Sequence, residues 1–184
     1  MALTKTPICN FGENAKDFSL KSTENKQISL KDVRGKNGTL IMFICNHCPY
    51  VKAIIKDLVS DIKYLEDLGI NSVGIMSNDV KNYPDDSFEN MISFSKLNEF
   101  SFPYLIDETQ NVAKEYGAVC TPDFFGYNKN LELQYRGRIR ELKDLKPVRK
   151  GDSDLKIAMK LVAETGKGPK DQIPSMGCNI KWFK

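Results

Sequence analysis

One turn constrains the fold more than any other part of the sequence, because it joins a fully apolar run to a helical pattern. Residues 40–44 (Leu-Ile-Met-Phe-Ile) are all large and hydrophobic, which is typical of a strand covered on both faces. The pentapeptide 45–49 (Cys-Asn-His-Cys-Pro) follows, and apolar residues then recur at helical spacing over 51–68. The sequence therefore predicts a buried strand, a turn that carries two thiols, and a helix.

The two thiols of this turn indicate cysteine redox chemistry. A sulfur at the N-terminus of a helix meets unpaired N–H groups and the positive end of the helix dipole, which favour thiolate over thiol. Proline is favoured at the first helical position, so Pro49 makes Cys48 the cap residue and places its sulfur at those groups. We therefore expect Cys48 to attack and Cys45 to be the nearest resolving thiol, although the spacing alone also allows Cys45 to attack first.

His47 is the only histidine of the chain, and it directly precedes Cys48. A cationic or hydrogen-bonding imidazole at this position would lower the pKa of the thiol further and favour the reduced form. A solvated loop histidine without a role is the alternative. We expect the functional role.

Composition narrows the class of protein. The chain has 184 residues, of which 41% are hydrophobic and 28% charged, as in a globular domain with a substantial core. The net charge of +3 is dispersed, which gives no case for nucleic acid as a partner. No apolar run approaches the roughly 18 residues of a membrane span, and the first residues lack a signal-peptide core. Five cysteines do not form a disulfide framework, so we expect a reducing, cytoplasmic setting.

The remaining elements follow from alternation, helical periodicity and capping residues. Alternating runs predict an N-terminal β-hairpin over 15–20 and 27–30. Asp85 or Asp86 is the expected cap of the second long helix, and Asp152 or Ser153 that of the last. The other predicted strands are 39–44, 70–76, 104–107, 123–127 and 131–138, and the predicted helices are 51–68, 85–98, 109–116 and 153–165. This order predicts one α/β domain over 1–184 with a mixed central sheet, helices on both faces, and an irregular tail over 166–184.

These elements, with the Cys-Asn-His-Cys-Pro turn and with Thr121-Pro122 before the final hairpin, resemble the thioredoxin fold over about residues 11–165. The variant is the redoxin group, and the motifs resemble its peroxiredoxin-like subgroup, related to alkyl hydroperoxide reductase and thiol-specific antioxidant proteins. The motifs that carry this resemblance lie at 43–52, 107–110, 120–125 and 177–182. The resemblance implies a cis Pro122 that sets the Thr121 backbone beside the reactive sulfur. The shared Cys-Pro step at 48–49 also favours Cys48 as the attacking thiol.

The resemblance implies a thiol–disulfide oxidoreductase with antioxidant-type cysteine chemistry. Cys48 would attack a disulfide, Cys45 would close an internal bond, and Thr121 and Pro122 would guide the substrate backbone. The expected partners are a protein or small-molecule disulfide or thiol, with peroxide as an alternative substrate, and a cellular thiol reductant. No cofactor, nucleic acid or membrane is expected.

Two further functions stay open at this point. One is a thiol-dependent peroxidase that uses the same Cys48. Peroxiredoxins place a threonine three residues before the attacking cysteine and a proline seven before, whereas this chain has Cys45 and Ile41 there. The best match to their arginine is Thr121, with Arg136 or Arg138 as substitutes. The other function is a non-catalytic, redox-switched binding protein.

Two more cysteines are candidates for additional redox thiols. Cys120 lies two residues before Pro122, so it is either a redox thiol near the pair or a small buried hydrophobic residue. Cys178 lies in the tail, where it is either a resolving thiol or an incidental one. Either cysteine, with the 45–48 turn, would complete a set of zinc ligands. Only one such turn is present, so no metal is expected.

Overall fold

A seven-stranded sheet forms the centre of the protein in a computed structural model that describes residues 2–184. The strands are β1 (Leu3–Lys5), β2 (Ser19–Ser22), β3 (Gln27–Ser29), β4 (Gly38–Phe43), β5 (Ile70–Met76), β6 (Tyr104–Ile106), β7 (Cys120–Thr121), β8 (Asp123–Asn128), β9 (Leu133–Tyr135), β10 (Leu142–Lys143), β11 (Lys146–Pro147) and β12 (Met176–Asn179). The α-helices are α1 (Leu30–Val33), α2 (Pro49–Asp67), α3 (Phe88–Leu97), α4 (Asn111–Tyr116) and α5 (Asp154–Thr165).

The central sheet is mixed, as the sequence predicts. Its strand order is β3-β2-β6-β5-β4-β8-β9. Strand β4 lies in the middle, parallel to β5 and antiparallel to β8. The predicted hairpin is confirmed as β2 and β3, which pair antiparallel at one edge, although β2 begins and ends later than the predicted 15–20. This arrangement, with helices on both faces, confirms the predicted thioredoxin fold.

Both faces of β4 are buried, which explains the fully apolar run. Leu40 and Met42 point into a core packed by α2, α3 and α5. Ile41 and Phe43 point into the opposite core, under α1 and α4. Because successive side chains of a strand alternate between faces, a strand in this position has no polar side to present.

The second long helix begins later than predicted. The predicted caps, Asp85 and Asp86, belong to a 3₁₀ turn (Pro84–Asp86). The cap of α3 is Ser87, whose hydroxyl accepts a hydrogen bond from the backbone N–H of Asn90. Asp86 is fully buried instead. The prediction for the last helix is confirmed, because Ser153 caps α5.

The tail contains regular structure that the sequence analysis did not predict. Residues 166–175 lack helix and strand, as expected, but β12 lies between β1 and β7 in a separate three-stranded sheet. Gly177 permits this pairing, since a Cβ there would lie 2.0 Å from the carbonyl oxygen of Thr121. The close approach of β12 to β7 therefore requires glycine at position 177.

Two further predictions concern the proline bond at 121–122 and membrane-spanning helices. The bond between Thr121 and Pro122 is cis, as the resemblance implies. Among residues 2–184, none of the helices is both long and apolar enough to cross a membrane.

Helix α2 supports the site through its buried face, so we expect Leu58→Ala to be strongly destabilising. Leu58 is fully buried, whereas Leu97, at the end of α3, is 82% exposed. The cavity left by Leu58→Ala should lower the free energy of unfolding by about 2–5 kcal/mol. Leu97→Ala should change it by less than about 0.5 kcal/mol. Urea unfolding followed by circular dichroism measures both, and equal losses would contradict this packing.

Candidate active site

Cys48 lies at the cap of α2, with its sulfur enclosed between two chain segments. The residue has helix-entry geometry, and Pro49 occupies the first helical position. Its Sγ lies 3.2 Å from the carbonyl oxygen of Thr121 and 3.0 Å from Sγ of Cys178. The protonated thiol therefore donates to Thr121, and an ionised sulfur instead accepts from neighbouring donors.

Those donors lower the pKa of Cys48 to about 5. The largest cause is the hydrogen bond from the Cys45 thiol, which outweighs the opposing effect of burial. The thiol of Cys178 and the backbone N–H groups of Val51 and Cys178 add to the lowering. Since an unperturbed cysteine titrates near 8.5, Cys48 carries negative charge at neutral pH.

Cys45 lies in the loop before Cys48 and serves as a hydrogen-bond donor. Its pKa is raised well above the usual range, first because its proton is shared with Cys48 and then because the residue is buried. Its Sγ also lies 3.4 Å from the hydroxyl oxygen of Thr121. Cys45 therefore keeps its proton while Cys48 loses one, so the two thiols of the turn are chemically unlike.

His47 is held by a buried carboxylate that the sequence analysis assigned only to helix capping. His47 Nδ1 lies 2.6 Å from Oδ2 of Asp86. The same carboxylate accepts from the backbone N–H of Asn46 at 2.8 Å and from the side-chain amide of Asn78 at 2.8 Å. The ring of Tyr83 stacks on the imidazole, with centroids 6.0 Å apart. Asp86 thus fixes both the turn and the orientation of the ring.

This contact shifts the pKa values of both partners toward their charged forms. The hydrogen bond to Asp86 raises the pKa of His47, although burial opposes it. Burial raises the pKa of Asp86, but the hydrogen bonds from His47 and Asn78 and the nearby imidazole outweigh it and lower the pKa. The contact with Asp86 therefore favours the protonated imidazole one residue from Cys48.

The structure also places Thr121, Pro122 and Cys178 near the sulfur of Cys48. Cys178 lies directly across from Thr121 in the pairing of β12 with β7. Burial raises the pKa of Cys178 to about 12. The Sγ of Cys120 has a different partner, the carbonyl oxygen of Pro122 at 3.6 Å, and burial raises the pKa of Cys120.

A partial set of metal ligands also lies here. Ligand atoms of Cys45, His47 and Asp86 lie within 4.8 Å of one another. This set differs from the zinc set considered from the sequence, because it includes Asp86 and leaves out Cys48. Nδ1 of His47 is already hydrogen-bonded to the carboxylate, which is the arrangement of an ion pair.

The two arginines considered for a peroxidase have carboxylate partners. Arg136 is buried in an ion pair with Asp123 at 3.0 Å. Arg138 pairs with Asp154 at 2.7 Å. Among the hydrogen bonds of residues 2–184, neither arginine donates to Cys48.

Comparison with solved structures gives the same architecture. A crystal structure of an uncharacterised conserved protein from Geobacillus kaustophilus is 37% identical, covers 100% of this chain and 97% of its own, and superposes with a TM-score of 0.94. A hypothetical protein from Sinorhizobium meliloti 1021 is 34% identical, with 98% of each chain covered and a TM-score of 0.90. The thioredoxin domain of a thiol-disulfide oxidoreductase from Bacteroides vulgatus is 16% identical, with a TM-score of 0.58 over 68% of this chain and 86% of that one. The last likeness shows the fold alone.

The fold, with two thiols where β4 gives way to α2, defines a thioredoxin-like redox protein. The AhpC/TSA family model matches residues 11–142. The chain belongs to the AhpC/TSA family, and the peroxiredoxin-like resemblance is thereby confirmed. Among curated proteins, none matches the chain.

The low pKa of Cys48 predicts a distinct ultraviolet titration. The pKa values of the other four cysteines are raised, those of Cys9 and Cys178 to about 11 and about 12. Thiolate absorbance of the reduced protein should therefore show one sulfur titrating near pH 5 and no other below about pH 8. Ultraviolet absorbance suits a buried sulfur, because the measurement does not depend on a reagent that has to reach the thiol. Cys48→Ala should remove this step, and a midpoint near 8.5 would contradict the assignment.

The buried carboxylate predicts a pKa change in the only histidine. Asp86→Asn removes the charge that raises the pKa of His47, so that pKa should fall. In the wild type, the raised pKa stabilises the fold fully below the unfolded value of about 6.5. This contribution is lost as pH rises through the folded value. NMR titration of the single imidazole and unfolding between pH 5 and 8 measure both effects.

A neighbouring aspartate provides the matched control for this prediction. Asp85 is exposed, so Asp85→Asn should leave the His47 titration near that of the wild type. If Asp86→Asn and Asp85→Asn gave the same His47 pKa, the His47–Asp86 contact would not be what sets it.

Proposed function

We propose that the protein catalyses thiol–disulfide exchange, with Cys48 as the attacking thiol and Cys45 as the resolving thiol. The observation that carries the proposal is the enclosure of the Cys48 sulfur at the start of α2, in hydrogen-bond contact with thiols and with its pKa lowered to about 5. Disulfide exchange requires a thiolate and a second thiol within reach. The lowered pKa of Cys48 supports the first requirement, and its hydrogen bond with the Cys45 thiol supports the second.

The proposed reaction has two steps that balance in electrons. The Cys48 thiolate attacks one sulfur of the substrate disulfide, which forms a mixed disulfide and releases the other sulfur as a thiolate. Cys45 gives up its proton and attacks Cys48, which forms the internal disulfide and releases the second substrate thiolate. The substrate gains two electrons, and a cellular thiol reductant later restores both protein thiols.

His47 has a positioning and electrostatic role in this proposal. Its raised pKa keeps the imidazole protonated to higher pH, so it can stabilise thiolates that form beside Cys48. Asp86 holds the ring through Nδ1. The same charge favours the reduced, thiolate-bearing form of the turn over its disulfide.

A cavity of about 520 Å³ beside Pro122 is the proposed approach for substrate. Tyr50 and Ile54, from the first turns of α2, line one side, and Ile139 and Leu142 contribute further apolar surface. Cys48 is fully buried, so a substrate disulfide reaches the sulfur only when a covering segment moves. The proposed partners are protein or small-molecule disulfides that offer apolar surface next to the bond.

Reduction of peroxide by Cys48 is a second candidate. The full burial of this sulfur favours it, because a small peroxide needs less opening than a disulfide-bonded protein. The carboxylate partners of Arg136 and Arg138 weigh against it, because peroxide activation draws on a free cation. Inactivity in both disulfide exchange and peroxide reduction would favour a redox-switched binding protein.

Paired assays distinguish these functions. We expect the protein to accelerate insulin reduction by dithiothreitol and to consume peroxide slowly with a thiol donor. Cys48→Ala should return insulin reduction to the uncatalysed rate, because it removes the attacking sulfur. Cys9→Ser changes a thiol outside the site and should keep the wild-type rate. Rapid peroxide consumption without insulin reduction would favour the peroxidase. If Cys48→Ala kept both activities, the proposed role of Cys48 would be wrong.

A further inference from the structure

Cys48 has a thiol neighbour that belongs to a distant part of the chain. The sulfurs of Cys48 and Cys178 lie 3.0 Å apart and come from residues separated by 130 positions. A disulfide bond measures about 2.05 Å, so the two atoms need to move by only about 1 Å to bond. Both residues are buried, so bulk water does not separate the sulfurs.

The strand that carries Cys178 is fixed on both sides. Strand β12 pairs antiparallel with β1 on one side and with β7 on the other. Just before it, the hydroxyl of Ser175 donates to the carbonyl oxygen of Pro122 at 2.8 Å. Just after it, the carbonyl oxygen of Lys181 accepts from the backbone N–H of Asp79 at 2.8 Å. Cys178 is therefore delivered to Cys48 by a sheet and not by a loose tail.

The close fit of β12 depends on one glycine. Gly177 packs against the backbone of Thr121, where a Cβ would meet the carbonyl oxygen at 2.0 Å and the carbonyl carbon at 2.6 Å. Both atoms are backbone, so the neighbour cannot rotate away. Any side chain at 177 must therefore shift β12 relative to β7, and Cys178 then loses its present position beside the Cys48 sulfur.

We propose that Cys178 is a second resolving thiol, able to close a Cys48–Cys178 disulfide without Cys45. This inference rests on the proposed function. In the step, Cys178 loses its proton and attacks the Cys48 sulfur of a mixed disulfide. The Cys48–Cys178 bond forms, and the bond from Cys48 to the substrate sulfur breaks. The two protein thiols together supply two electrons to the substrate disulfide.

The two resolving thiols have different structural consequences. A Cys45–Cys48 bond stays within one turn and leaves the C-terminal strand free to separate. A Cys48–Cys178 bond joins the start of α2 to β12 and so fastens the covering strand over the attacking sulfur. The same oxidation therefore either leaves the site able to open or closes it covalently.

Glutathione disulfide provides the test, with mass spectrometry of the intact protein and of its peptides. Cys45→Ser should form the Cys48–glutathione adduct and then lose it as a Cys48–Cys178 peptide appears. Serine at 45 retains a hydroxyl for the Thr121 contact. In the double variant Cys45→Ser/Cys178→Ala the adduct should persist at least about tenfold longer, since both proposed resolving thiols are removed.

A thiol-preserving variant guards against a folding artefact. Cys45→Ser/Gly177→Ala keeps Cys178 but displaces its strand, so its adduct should also persist longer than that of Cys45→Ser. Circular dichroism checks that each variant is folded. Equal adduct lifetimes in Cys45→Ser and Cys45→Ser/Cys178→Ala would overturn the inference. Absence of any Cys48 adduct in all variants, wild type included, would instead overturn the proposed function.

Discussion

The contact of one sulfur with the start of a helix is the interaction on which the site depends. Strand β4 is held between two neighbouring strands, so its C-terminal end has a fixed position in the sheet. The turn that follows places Cys48 at the cap of α2. Around that sulfur the neighbouring groups divide into donors and a carbonyl acceptor, Thr121. The direction of these hydrogen bonds differs between the thiol and the thiolate of Cys48, and each step of the proposed exchange starts from the thiolate.

The sequence predicted the elements whose signals are local. The apolar run before the turn, the proline at 49 and the helical spacing that follows identify β4, α2 and the cap without tertiary information. The thioredoxin-like order of elements then implies the cis bond before Pro122, which the structure has. The signals for β4, α2 and the cap are properties of short stretches, whereas the cis bond follows from the resemblance of the whole domain to the thioredoxin fold.

The features that the sequence did not reveal depend on contacts between distant residues. Asp85 and Asp86 are adjacent and identical in type, yet one is exposed and the other is fully buried. Only the folded chain brings Asn46, His47 and Asn78 to the second carboxylate. Likewise β12 has four residues and two paired neighbours. A strand this short has no periodicity to read, and its partners lie far away in sequence.

The long separation of Cys48 and Cys178 also bears on how the protein is made. Ribosomes add about 5–20 residues per second, so roughly 7–26 s pass between the synthesis of these two cysteines, given the 130 positions between them. During that interval the nascent chain carries Cys48 without the strand whose Cys178 contacts its sulfur. With Cys48 as the proposed attacking thiol, unfinished chains would be the molecules most open to irreversible oxidation, and a stall in translation would do more damage here than in a protein whose attacking thiol is made last.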